Sequence, residues 1–142
     1  MIQLKNYING EFLDPIQNEW LDNYNPSIGS VYGQTPNSSL KDVNLAYKAA
    51  KKAFVSWSQT SLEKRSAILL KIASLIEANL DRFAEAESKD NGKPISVAKT
   101  VDIPRAACNF RFFGHAITQF YSESYETKSE KTINYTLRHP LG

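Results

Sequence analysis

TSLEKRSAILLKIASLIEANLDRFAEAESKDNGKP, residues 60–94, places an apolar residue at nearly every third or fourth position. Ile68, Leu69, Ile72, Leu75, Ile76, Leu80 and Phe83 fall on one face of a helix, with Lys64, Lys71, Glu77 and Asp81 mostly on the other. Thr60 with Glu63 matches the Thr-x-x-Glu capping box, in which each side chain satisfies a backbone N–H at the helix start. Gly92 suits the left-handed residue that closes a helix, and Pro94 cannot continue one. The pattern predicts one long amphipathic helix from Thr60 to Asn91-Gly92, with its apolar side turned toward a core.

Upstream, Val43, Ala46, Tyr47, Ala50, Phe54 and Trp57 form a second stripe, opened by Ser39 and Asp42 as a weaker capping box. Before it the chain reads as short strands and turns. Leu4 to Ile8 and Glu11 to Leu13 flank Asn9-Gly10, a dipeptide suited to the two positive-φ positions of a type I′ hairpin. Trp20 to Tyr24 and Val31 to Thr35 are further strand candidates around a Pro26–Gly29 turn. Downstream, a third helix is expected from Ser96 to Phe120, with Val97, Val101, Ala106, Phe110, Phe113, Ile117 and Phe120 on its apolar side. Pro104 lacks a backbone donor and clashes with the carbonyl four residues back, which predicts a kink or restart capped by Asp102. Tyr121 to Lys131 is polar. Ile133, Tyr135 and Leu137 then alternate with polar residues as a strand does.

The 142 residues are 42% hydrophobic and 23% charged, with a net charge of +2. This fits a soluble globular protein and speaks against a nucleic-acid partner. The single cysteine, Cys108, excludes an intrachain disulfide. It lies between Ala106-Ala107 and Phe110, where a buried, inert thiol is expected. The N-terminus has no basic region leading into an apolar run, and no stretch is long enough to cross a bilayer, so a cytoplasmic protein is expected. His115 and His139 share no metal spacing with Cys108. No glycine-rich phosphate loop follows a strand.

Two motifs exceed this background. Asp90-Asn91-Gly92-Lys93-Pro94 is a polar helix terminus with free carbonyls. Asp102-Ile103-Pro104-Arg105 sets an arginine at the start of a helix, where a planar guanidinium and the helix terminus both favour an anion. On residue types alone, the first reads as a helix stop and the second as a surface or Asp-paired arginine.

Taken in order, Tyr-Ile-Asn-Gly-Glu-Phe (7–12), Asn-Pro-Ser-Ile-Gly-Ser-Val-Tyr (25–32), Ala-Tyr-Lys-Ala-Ala-Lys-Lys-Ala-Phe-Val-Ser-Trp (46–57), Glu-Lys-Arg-Ser-Ala-Ile-Leu (63–69), Glu-Ser-Lys-Asp-Asn-Gly-Lys-Pro (87–94) and Arg-His-Pro-Leu-Gly (138–142) resemble the opening of the aldehyde dehydrogenase superfamily. Asp102-Ile103-Pro104-Arg105-Ala106 followed by Asn109-Phe110-Arg111-Phe112-Phe113 is similar to the branch that oxidises 2-aminomuconic and 2-hydroxymuconic semialdehydes.

The resemblance implies an α/β fold, of which residues 1–120 would be the N-terminal part of an NAD(P)-binding domain and 121–142 the start of an oligomerisation ribbon. It implies NAD or NADP as cofactor, a small-molecule aldehyde as substrate and a homo-oligomer, dimer or tetramer. Arg105 would pair with the substrate carboxylate. Asn23, the Tyr24 carbonyl and Asp90 would hold a structural monovalent cation, sodium or potassium, although the family commonly has threonine where Asn23 stands. The catalytic cysteine and glutamate of the family, and its cofactor-binding turn, would lie after the Arg-His-Pro-x-Gly strand, so this chain by itself is expected to be poorly folded, self-associating and inactive. The alternative is a non-catalytic helical interaction module, which requires a closed helical core.

Overall fold

In the computed structural model, which describes residues 2–141, seven short strands and a set of helices follow the expected order. Met1 and Gly142, the outer limits of the two expected regions, lie outside the described residues. Strand β1 (Ile2–Gln3) is followed by a hairpin of β2 (Asn6–Ile8) and β3 (Glu11–Leu13). Asn9 and Gly10 both take positive φ, 54° and 86°, as a type I′ turn requires. Strands β4 (Trp20–Asn25) and β5 (Ser30–Pro36) pair antiparallel, and β1 joins the other edge of β5 in parallel, giving the order β1-β5-β4. A Cβ on Gly33 would sit 2.8 Å from the Ile2 carbonyl oxygen, so only glycine admits β1 at this distance.

Helix α1 (Leu40–Trp57) begins where expected. Asp42 accepts from the Ser39 backbone N–H at 2.8 Å and the Ser39 hydroxyl at 2.7 Å, and also from the Ile16 N–H at 2.9 Å. One buried carboxylate thereby ties the helix start to the segment after the first hairpin, and these hydrogen bonds, that from Ile16 foremost, hold its pKa below the ordinary carboxylate value.

The expected long helix is two. Helix α2 (Leu62–Ala78) ends at Asn79, and α3 (Leu80–Asn91) starts immediately after. Asn79 folds its side chain back onto the Leu75 carbonyl at 2.8 Å, while its own carbonyl accepts from Phe83. This local competition with the helical ladder is what apolar periodicity does not register. The cap of α2 is also Ser61 rather than Thr60, its hydroxyl accepting from the Lys64 N–H at 3.2 Å. Gly92 closes α3 at φ 76°, as expected.

After Pro94 come a single turn, α4 (Ile95–Val97), and a wide turn over Ala98–Asp102 whose closing Ile103 N–H reaches back to Ala98. This i→i−5 turn is the irregularity expected at Pro104, and α5 (Ile103–Ala116) follows it with Pro104 in its first turn and the backbone helical throughout. Asp102 is therefore not a cap; it is helical and receives Lys93 Nζ at 2.7 Å. A 3₁₀ turn (Ile117–Gln119) leads to a hairpin of β6 (Ser124–Thr127) and β7 (Thr132–Tyr135). Strand β6 falls in the polar segment Tyr121 to Lys131.

The centre of the packing is α2 against α5. Its buried residues are small: Ser66 and Ala73 on α2, Ala107 and Gly114 on α5. A Cβ on Gly114 would meet Leu70 at 3.0 Å and Leu69 at 3.3 Å, which measures how closely the helices approach. Arg111 braces the pair with two hydrogen bonds of 2.7 Å to Glu77. Among the described residues no large side chain is fully buried, and Val43, Tyr47, Leu75, Val101, Phe112 and Phe113 are exposed. Cys108 is exposed as well, contrary to expectation, because Ala107 is the residue that faces α2 and the next position lies about 100° round the helix. A closed helical module is thus not what these helices form.

Candidate functional site

The β4–β5 register slips at Asn23 and Tyr24: Asn23 pairs with Gly33 and Tyr24 with Val31, leaving Tyr32 as the extra residue of a bulge. The bulge turns Tyr32 toward the end of α3. There the Tyr32 hydroxyl donates to Asp90 Oδ1 at 2.6 Å, and Asn23 Nδ2 donates to the same oxygen at 2.8 Å and to the Tyr32 hydroxyl at 2.9 Å. Lys89 lies 4.8 Å from the Tyr32 ring centroid. The hydrogen bond from Tyr32, reinforced by Asn23, holds the Asp90 carboxyl below its ordinary pKa. The same bond, with burial and the adjacent charge, raises the Tyr32 phenol. The cluster borders a cleft of about 430 Å³ whose other walls include Ile2, Leu4, Phe83 and Ile103.

Next to it, the Asp90–Pro94 terminus is internally satisfied. Ser88 Oγ donates to the Lys93 carbonyl at 2.6 Å, and the Lys93 N–H donates to Asn91 Oδ1 at 2.8 Å. Gly92 packs so closely on the Pro26 ring that a Cβ would lie 2.9 Å from it.

Of the expected site residues, Asn23 and Asp90 meet across 67 positions of sequence. Tyr24 is exposed, and Tyr32, not foreseen, completes the cluster. Arg105 is elsewhere: exposed on the first turn of α5, outside this cleft. Among the described residues no group of three or more His, Cys, Asp or Glu could hold a metal ion. Nor is any helix among them long and apolar enough to cross a membrane.

Compared with known proteins, residues 12–142 match the aldehyde dehydrogenase family. The chain belongs to that family. The 2-aminomuconic semialdehyde dehydrogenase of Homo sapiens is 42% identical over 142 residues, which is 100% of this chain and 29% of the relative. The long-chain-aldehyde dehydrogenase of Acinetobacter sp. is 40% identical over 140 residues, 99% of this chain and 28% of its own. PnpE from Pseudomonas sp., solved in complex with nicotinamide adenine dinucleotide, superposes with a TM-score of 0.86 at 33% identity, over 90% of this chain and 26% of its own. This aldehyde dehydrogenase family member therefore spans less than a third of the length of these relatives. Its helices and small sheets correspond to one portion of the family's α/β fold, the N-terminal one.

Proposed function

We propose that this chain is the opening part of an NAD(P)-dependent aldehyde dehydrogenase that oxidises a carboxylated semialdehyde, of the 2-aminomuconic or 2-hydroxymuconic kind, to the acid. The observation that carries the substrate reading is Arg105. It stands exposed at the start of α5, and among the described residues it has no acidic partner in an ion pair. The 42% identity to an enzyme named for 2-aminomuconic semialdehyde supports it. A guanidinium fork that fixes the far carboxylate orients the reacting aldehyde end. In the enzyme carrying this chain, Arg105→Ala should raise KM for a carboxylated semialdehyde by about tenfold or more while leaving a neutral aldehyde little changed. Equal effects on both substrates would remove the role.

The nicotinamide cofactor rests on likeness to the NAD-bound PnpE structure. No residue of this chain is assigned to it. Gly10, Gly29 and Gly92, the glycines at positive φ, lie in hairpin or turn positions and at a helix end, and none opens a helix after a strand to cradle phosphates. Residues 1–120 belong, in this reading, to the cofactor domain, and 121–142 begin the ribbon through which the subunits of a homo-oligomer pair. The exposed Tyr125, Ile133 and Tyr135 of β6 and β7 support a strand pair awaiting a neighbour.

Asn23 through its side-chain oxygen, Tyr24 through its carbonyl, and Asp90 would hold a monovalent cation. The donors are all oxygen, which suits a hard ion, although Asn23 must turn its amide to offer that oxygen. If so, the enzyme should melt at higher temperature in sodium or potassium chloride than in choline chloride at equal ionic strength. Asp90→Asn should abolish the difference, and an unchanged difference in that variant would exclude the site.

A further inference from the structure

At the far end of the α2–α5 pair is a second cleft, of about 390 Å³, between the start of α2 and the segment after β7. Arg65, Arg138 and His139 line it together with Leu62, Phe120 and Leu137. Arg65 Nε is sealed from solvent and has no hydrogen-bond partner among the described residues. Leaving such a charged donor unsatisfied is costly, since it loses water and gains nothing in return. The Arg138 guanidinium lies 5.0 Å from the Phe120 ring centroid, so stacking holds the second cation over the same cleft. Two guanidiniums sharing a space with no carboxylate among its described lining residues draw an anion there.

We propose that this cleft binds a carboxylate carried on an apolar body. The head would pair with the outer guanidinium nitrogens of Arg65 and with Arg138, and the body would cover Leu62, Phe120 and Leu137. The volume lies within the roughly 300–1,000 Å³ usual for small-molecule sites. This site is separate from Arg105, which stands at the other end of α5, about 20 Å away along a helix of that length. It does not depend on the substrate reading above.

The test is saturation-transfer NMR on the enzyme carrying this chain with three probes: hexanoate, hexanol and inorganic phosphate. Hexanoate should bind saturably, and hexanol and phosphate each about tenfold more weakly, because each lacks one half of the recognition. Arg65→Gln and Arg138→Gln should each weaken hexanoate by about tenfold, and Arg105→Gln should not. Arg138 is exposed, so its variant tests the site even if Arg65→Gln disturbs α2. Equal binding of hexanoate and hexanol, or indifference to both substitutions, would overturn the proposal. Absence of hexanoate binding would overturn it too, and would leave the guanidiniums to an acidic side chain of a segment packed over them.

Discussion

Asp90 accepts from Tyr32 and Asn23 on one oxygen, and Tyr32 stands in that place only because β5 carries an extra residue. Asn23 and Asp90 were legible in the sequence through family resemblance; Tyr32 was not, since the bulge that turns it toward Asp90 is set by how β4 and β5 pair. Titration follows from these bonds. Asp90 and Asp42 have pKa values below their ordinary ones in the folded chain, so their contribution is complete above the ordinary carboxylate range. It fades as pH falls through the lowered values. Tyr32 is raised, so its contribution is complete below the ordinary phenol value and fades as pH climbs through the raised one. Urea midpoints followed against pH should therefore drop at both extremes. Asp42→Asn should flatten part of the acid limb, and an unchanged acid limb would show that the hydrogen bonds to Asp42 do not stabilise the fold.

Among the elements, the start of α1, the end of α3 and the first hairpin follow from caps and turn residues that sequence displays directly, while the cap of α2 falls one residue beyond the expected Thr60, at Ser61. The break at Asn79 does not, because it depends on one side chain competing with the ladder; Pro104 marks where the helix is irregular but not that the irregularity takes the form of a wide turn before it. A subtler gap concerns which face turns inward. Periodicity selects the large apolar residues, such as Leu75, Val101 and Phe113, yet α2 and α5 meet through Ser66, Ala73, Ala107 and Gly114. Close helix approach favours small side chains, and several of the large ones, Leu75 and Phe113 among them, are left exposed. Gly114→Leu should force the helices apart and lower stability by about 1–3 kcal/mol. The same change at exposed Asn109 should have little effect, and equal urea midpoints for the two variants would contradict the packing.

At the scale of the whole molecule, the apolar stripes read from the sequence are real but largely uncovered. Phe112 and Phe113 are 63% and 61% exposed, Val43 and Tyr47 stand out from α1, and no large side chain among the described residues is fully buried. The family's α/β architecture was legible because motif order survives across the chain. What covers the stripes was not, since only a portion of the family's length is represented. Apolar area left in water favours association at roughly 25 cal/mol per Å² removed. Sedimentation velocity of the purified chain over a concentration series tests this directly. We expect sedimentation coefficients that rise with concentration well beyond a monomer. A single monomeric species throughout would contradict the view that these faces await a partner surface.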